Sequence, residues 1–502
     1  METLQSLAYG FSIFLQPINL LYCFLGVLMG TLVGVLPGLG PAAALSLLLP
    51  TIYHVPPISA IIMLFGICYG TAYGGSTTSI LVNIPGEVSS VVTCFDGYQM
   101  ARQGRAGPAL GIAAFGSFIA GTFGVIGLML FAPTLASFAL RFGPPEYFSL
   151  AVMSMTLVVY IGKGSILQGL MMACVGLVMS TAGRDAFTAQ TRFTFGLTSL
   201  MNGFELAFVA MGLFGMSEVL TNLGQALKRE TLDAQVKNLL PNRQDWKDSA
   251  KPIARGTLLG FLLGILPGVG VAVTTFVSYA IEKKFSKRPE EFGTGVIEGV
   301  AGPESANNAA YSGTFVPMLS LGIPTNISTS IILGALMILG LQPGPLLISS
   351  KPDLFWGVVA SMYAGNVMLV ILNLPLIGLW VQILKAPYSI LYVLIVLFCQ
   401  IGAYSVNNSV TDVLLMNIFG VTGYLMKRYE FEGAPLILAL VLGPMFENSL
   451  RRALILSDGS STIFFTRPIS AIFLIIAMIF LISPFFSRGQ VARKAIEMKE
   501  DN

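Results

Sequence analysis

The chain has 502 residues, 54% hydrophobic and only 11% charged, with 28 basic side chains against 25 acidic ones and a single histidine. A water-soluble domain carries about 25% charged residues, so most of this surface does not meet water, and a net charge of +3 is too small to indicate nucleic acid. Five cysteines (Cys23, Cys68, Cys94, Cys174, Cys399) stand singly in or beside apolar segments, without metal or redox spacing.

Apolar runs of about 20 residues recur along the chain, roughly ten to thirteen of them, the mark of membrane-spanning helices. An all-α polytopic membrane protein is predicted. The opening METLQSLAYGFSIFLQPINLL has no positive region ahead of its apolar part and does not read as a cleaved signal. Residues 1–101 contain no lysine or arginine. Within them Gly30–Gly40 reads GTLVGVLPGLG, with proline and glycine where a spanning helix would carry leucine. Proline lacks the N–H and glycine admits a turn, so a helix is not expected to continue through this phrase.

Further along, Tyr69–Ser79 (YGTAYGGSTTS), followed by Asn83, Pro85 and Gly86, is polar inside apolar sequence. Pro85–Gly107 is a polar connection carrying Glu87, Asp96, Arg102 and Arg105, the arginines reading as cytoplasmic anchors. Lys163 reads as an interfacial, snorkelling side chain, and Gly183–Gly196 as a structured loop. Six basic residues fall in Leu227–Pro252, four in Glu282–Glu291 and four after Ser487. Basic loops stay cytoplasmic, which places all three inside.

Between the first two basic loops, Ile253–Ile281 is too short for two full spans and centres on Leu-Pro-Gly-Val-Gly. A re-entrant hairpin, entering from and returning to the cytoplasm, is the expectation. Its Gly260–Gly270, GFLLGILPGVG, matches Gly30–Gly40 without gaps at seven of eleven positions. Ala72–Gly86 and Ala310–Thr325 form a second similar pair in the same order, with one residue inserted before Ile-Pro. Duplication of a half is predicted: residues 1–226 as a first membrane repeat, 227–252 as a cytoplasmic linker loop, 253–484 as a second repeat and 485–502 as a cytoplasmic tail. The first hairpin lies in arginine-free sequence and is expected to open outward, making an inverted repeat with two re-entrant or broken-helix hairpins, a design of secondary transporters. Simple proline kinks, with glycines for close helix packing, are the alternative.

Broken segments in matching positions point to a binding site. A second polar cluster, Ala301–Thr314 (AGPESANNAAYSGT), precedes Gly322–Asn326 (GIPTN). Neutral hydroxyls and amides, with backbone N–H groups at half-helix ends, suit an anion, and carbonyl oxygens suit sodium. The substrate candidates are Pro37, Gly38, Gly40, Ser76, Thr77, Pro267, Gly268, Gly270, Ser305, Asn307 and Asn308. The coupling-ion candidates are Asn83, Gly86, Glu304, Gly322 and Thr325. Glu304 is open to three roles: coordinating a cation, carrying a proton, or capping a helix that begins near Ser305. The asparagines are equally open to interhelical packing. No hydrolase, metalloprotease or phosphate-binding motif occurs, and the lone His54 lies near a membrane boundary. No enzyme activity, cofactor or metal beyond possible sodium ions is expected.

These motifs resemble the TctA family, the large membrane subunit of tripartite tricarboxylate transporters. The resemblance is carried by Gly34–Pro41 (GVLPGLGP), Tyr73–Gly86 (YGGSTTSILVNIPG), Phe95–Gly111, Arg192–Gly196 (RFTFG), Gly264–Gly270 (GILPGVG), Gly299–Ala309 (GVAGPESANNA) and Leu321–Asn326 (LGIPTN), and covers essentially the whole chain. It implies a multi-pass protein of the bacterial inner membrane, importing small organic carboxylates such as citrate with sodium or protons. It also implies a small four-helix TctB-like membrane subunit, a TctC-like periplasmic solute-binding protein, a homodimer and an elevator-type motion. Val271 stands where the first hairpin has Pro41, and Thr325 follows the second Ile-Pro where glycine is expected. A non-transporting docking or sensor subunit, or an exporter of the same fold, is the competing reading.

Overall fold

The computed structural model describes residues 2–36, 40–161, 165–185, 187–196, 200–222, 238–267, 269–384 and 388–482. Pro37, Gly38, Lys163, Gly268 and the tail 485–502 lie outside them. In chain order the first helices are α1 (Glu2–Phe14), α2 (Pro17–Val35), α3 (Pro41–Leu48), α4 (Pro57–Val82), α5 (Val91–Arg102) and α6 (Ala106–Ala139). Next come α7 (Pro144–Ile161), α8 (Ile166–Ser180), a two-residue antiparallel pair of β1 (Gly183–Arg184) with β2 (Thr191–Arg192), α9 (Leu206–Ala210), a π-helical turn Met211–Met216 and α10 (Ser217–Asn222). The series continues with α11 (Arg243–Ile265), α12 (Gly270–Phe285), α13 (Glu298–Leu321), α14 (Ile327–Ile338), α15 (Pro345–Ser350) and α16 (Pro352–Asn373). It ends with α17 (Ile377–Leu384), α18 (Tyr388–Asn407), α19 (Val410–Arg428), α20 (Gly433–Leu456), α21 (Ile463–Thr466) and α22 (Pro468–Ile482). Among the described residues five helices, α2, α4, α6, α16 and α20, are long and apolar enough to cross a membrane. The protein is an all-α polytopic membrane protein.

Local chemistry sets many of the boundaries. Proline opens α2, α3, α4, α15 and α16, where its missing N–H is one the helix would leave unpaired anyway. Helix α2 ends at Val35 and α3 begins at Pro41; α11 ends at Ile265 and α12 begins at Gly270. Each of α2 and α11 thus stops just ahead of its Leu-Pro-Gly phrase. Helix α11 starts at Arg243, inside the stretch expected to be loop, because Asn242 accepts from the Asp245 N–H while Asp245 accepts from the Asn242 N–H. The polar helices α4 and α13 both stop on a left-handed residue, Asn83 (φ 57°) and Gly322 (φ 72°).

The chain packs as two compact units, one of residues 1–140 with 205–428 and one of residues 141–204 with 429–502. In the first, α2 lies on α4 and α11 on α13, by the same device. A Cβ on Gly26, Gly30 or Gly34 would run into the carbonyls of Met63, Ile67 and Thr71 in turn. A Cβ on Gly256, Gly260 or Gly264 would meet those of Gly302, Ala306 and Ala310. Glycine every fourth residue makes a flat stripe that lets two backbones touch. The pairs Met63/Gly302, Ile67/Ala306, Thr71/Ala310 and Asn83/Gly322 all stand at one constant sequence separation. The packed faces of α4 and α13 thus correspond with no inserted residue; an insertion would rotate the face by about 100°.

Two polar anchors hold this unit. Asp96 of α5 is fully buried, and its Oδ1 accepts from the N–H groups of Gly293, Gly295 and Val296 at 2.8–3.0 Å while Oδ2 accepts from the Tyr279 hydroxyl at 2.9 Å. It shapes the turn that leads into α13. Arg255 of α11 makes a two-pronged ion pair with buried Glu282 of α12, clasping the arms of the second broken segment. Around them Ile80, Met100, Ala109, Ile253, Val300 and Trp380 belong to one apolar core.

The second unit packs α20 on α7 and α8, with Gly176 set against the Leu436 carbonyl. Its polar end is a four-residue network. Arg192 pairs with Asp185 and Glu447, and Arg451 pairs with the same two carboxylates, all at 2.9–3.0 Å. The Thr188 N–H beside it, with that of Phe187 and the Arg451 guanidinium, holds the Asp185 carboxyl well below the usual carboxylate range.

Candidate functional site

Helices α4 and α13 are buried along almost their whole length, so their serines, threonines and amides must find partners inside the protein. They find them in one another. Ser76 of α4 donates to Glu304 Oε2 of α13 at 2.5 Å, and Thr93 of α5 donates to Oε1. Glu304 sits in the second turn of α13, which begins at Glu298, so it does not cap a helix starting at Ser305.

A second carboxylate stands beside this one. Glu87, in the short link between α4 and α5, accepts from Ser89 and, at 3.2 Å, from Asn307 Nδ2 on Oε1; its Oε2 accepts from the Tyr311 hydroxyl at 2.9 Å. Glu87 and Glu304 are 6% and 1% exposed, and Asn307, which donates to Glu87, stands three residues after Glu304 on α13. Asn308 Nδ2 donates to Ser117 Oγ of α6 at 2.6 Å and to the Glu304 carbonyl at 3.2 Å. Among the described residues no lysine, arginine or histidine forms an ion pair with either carboxylate. The buried Oδ1 atoms of Asn307 and Asn308 and the Tyr73 hydroxyl have no hydrogen-bond partner among the described residues.

Against the cluster lies a small cavity lined by Tyr73, Ser76, Thr77, Ser117 and Asn373, about 10 Å³, enough for one water. A far larger cavity in the same unit, about 400 Å³, is walled by Met29, Leu36, Ala43, Leu394 and Phe398 with His54 at its edge. The large cavity is mostly apolar in its lining, whereas the small one mixes the polar side chains of the cluster with Leu110, Ala113, Ala114 and Leu374.

The expected site residues divide accordingly. Ser76, Glu304, Asn307 and Asn308 share one hydrogen-bonded cluster, with Thr77 at its cavity. Ser305 is buried with an unpartnered hydroxyl, and a Cβ on Gly116 of α6 would meet it. Gly86 is wedged between Gly34 and Gly75. Asn83 is an exposed helix end, Gly322 the matching end of α13, and Thr325 is buried with a free Oγ1 while its N–H donates to Thr329. Among the described residues no hydrogen bond joins these last three to the carboxylate cluster. Gly40 opens α3 and Gly270 opens α12 (φ 66°), both with open space where a Cβ would go, and half-buried Pro267 lies in the second break. Glu87, Thr93, Ser117 and Tyr311 were not singled out from sequence. The signal for Glu87 was there: a carboxylate directly after Ile-Pro-Gly, in a stretch without any basic residue.

Residues 20–438 match the profile of the tripartite tricarboxylate transporter TctA family. The chain belongs to the TctA family. Membership makes it a membrane transport subunit and not an enzyme, and the systems of this family are tripartite, with TctB- and TctC-type partners. A 52.8 kDa protein of the TAR-I ttuC′ 3′ region of Agrobacterium vitis is 48% identical over 501 residues, the full length of both chains. A protein of the TAR-II ttuC′ 3′ region of the same organism is 49% identical over 242 residues, all of that protein and 48% of this TctA chain. No solved structure matches the chain.

Proposed function

We propose that this TctA chain imports a small organic carboxylate, a di- or tricarboxylate such as citrate, across the bacterial inner membrane, driven by a sodium or proton gradient. The observation that carries the reading is the buried polar cluster joining α4 to α13, two helices whose partners α2 and α11 are broken at matching phrases. Polar groups at this density inside a membrane protein mark a transport pathway. The carboxylate substrate suits the neutral donors, namely Ser76, Thr77, Asn307 and Asn308 with the Tyr73 hydroxyl beside them. The two glutamates repel an anion and suit the coupling cation. Gly40, Pro267 and Gly270 border the two breaks; Pro37, Gly38, Gly268 and Ser305 complete the substrate set, and Asn83, Gly86, Gly322 and Thr325 are assigned to the ion path.

The constant separation of the glycine-contacted carbonyls and of the two left-handed helix ends supports an internal duplication. In this reading residues 1–226 and 253–484 are inverted repeats joined by the cytoplasmic segment 227–252, the tail 485–502 is cytoplasmic, and a hairpin-bearing part moves as an elevator against a dimeric scaffold. Substrate arrives from a periplasmic solute-binding protein, and a small four-helix subunit completes the complex.

The test is uptake of labelled carboxylates into proteoliposomes holding the chain, its small subunit and candidate binding proteins, under imposed sodium or proton gradients. Gradient-dependent inward accumulation of one acid is expected, weakened by Asn307→Ala and Ser76→Ala without loss of membrane insertion. Substrate-independent docking with no accumulation would assign the chain to a docking or sensor role, and net outward movement would make it an exporter.

A further inference from the structure

The Glu87–Glu304 cluster has an unbalanced charge. Among the described residues the two buried carboxylates take their side-chain hydrogen bonds from hydroxyls and an amide: Ser76 and Thr93 on Glu304, and Ser89, Asn307 and Tyr311 on Glu87. Hydrogen bonds of this kind stabilise one carboxylate, but two uncompensated negative charges in a water-poor interior cost many times what such bonds return. A cation must therefore enter, or protons must. Asn307 carries the second sign of it. Its Nδ2 is fixed on Glu87, yet its Oδ1, on a side chain only 1% exposed, has no donor at all. A buried amide oxygen beside a carboxylate pair, left without a donor, is what an oxygen-liganded cation would use. Among the described residues no group of three or more His, Cys, Asp or Glu assembles, and the donors here are all oxygens, without the histidine or cysteine that a zinc or other transition-metal centre favours. With one glutamate protonated, the single remaining charge and the neutral oxygens suit one monovalent cation.

We propose that Glu87 and Glu304, one from the link after α4 and one from α13, together form a single monovalent-cation site, sodium or proton, with Asn307 Oδ1 as a third oxygen. The proposal rests on the transport reading only for its purpose, since the site itself follows from charge balance. It also gives the site a consequence for coupling. Glu304 is held by Ser76 and Glu87 by Asn307, two of the groups assigned to substrate. Filling the cation site removes the negative charge that those groups sit against and leaves them free to receive an anion.

Two readouts on the purified full-length chain keep the site separate from transport. Thermal unfolding is followed against sodium, with choline holding ionic strength constant, and against pH. The wild type is expected to gain stability with rising sodium or with falling pH, and the arm that responds identifies the ion. Glu87→Gln and Glu304→Gln should each lose that dependence while remaining at least as stable as the sodium-free, high-pH wild type, because each removes a repelling charge. Asn307→Asp, which adds a third carboxylate, should steepen it. In proteoliposomes, gradient-driven accumulation should fall by roughly tenfold or more in the two glutamine variants. Wild-type stability indifferent to both ions, or glutamine variants with the full wild-type dependence, would overturn the cation site. An ion-dependent stability lost in both variants, in a wild type without gradient-driven accumulation, would uphold the site and sink the transport reading instead.

Discussion

Asp96 shows how much one side chain can organise. Three backbone N–H groups that converge on its Oδ1 belong to the turn Gly293–Val296, and the fourth partner is the Tyr279 hydroxyl. Each buried donor left without an acceptor costs about 1–3 kcal/mol, so Asp96→Ala should destabilise the protein by about 3 kcal/mol or more. Asp96→Asn keeps the oxygen that takes the three bonds and should recover most of the loss. Thermal unfolding of the two variants in detergent checks this, and equal stability of Asp96→Ala and wild type would refute it. Sequence located Asp96 in a polar connection but could not assign it a partner nearly 200 positions further on. The same holds for Glu87, visible as a lone acid after Ile-Pro-Gly and meaningless until Tyr311 and Asn307 are folded against it. Glu304 was legible as a carboxylate of interest, and its helix-capping role was excluded only when α13 proved to begin two turns earlier.

At the level of helices, the glycine stripes decide which element lies on which. Gly34 and Gly264 stand where a methyl group would penetrate the carbonyls of Thr71 and Ala310. Gly40 has open space at the same place, with an ordinary φ of −72°. Overpacking costs about 1–3 kcal/mol, so Gly34→Ala and Gly264→Ala should each lower stability by that amount, and Gly40→Ala should leave it unchanged. A lowered unfolding midpoint for the first two alone is the expected result; equal effects at all three positions would mean that the stripes do not set the packing. The two helix breaks were legible because proline and glycine act locally. The extent of α11 was not, since ten residues of charged sequence looked like loop until Asn242 and Asp245 closed a cap.

For the molecule as a whole, the question is the direction of the two broken segments. If the halves are inverted, Gly40 and Val269 approach opposite faces of the membrane. In a chain freed of its five native cysteines, Gly40→Cys should react with an impermeant maleimide from outside intact cells, and Val269→Cys only after the inner face is opened. Labelling of both from one face would replace the inverted arrangement with a parallel one.

Hydropathy and two Leu-Pro-Gly phrases were enough for membrane class, helical architecture and the two helix breaks, because each depends on residues within a turn or two of one another. The pairing of Glu87 with Asn307 and Tyr311, the seating of glycine stripes on carbonyls and the clasp of Asp96 on a distant turn came only with the tertiary structure. The first and the last depend on the approach of segments some 200 residues apart and the stripes on the rotation of each helix about its axis, and α4 and α13, buried on every side, have no amphipathic face from which that rotation could be read.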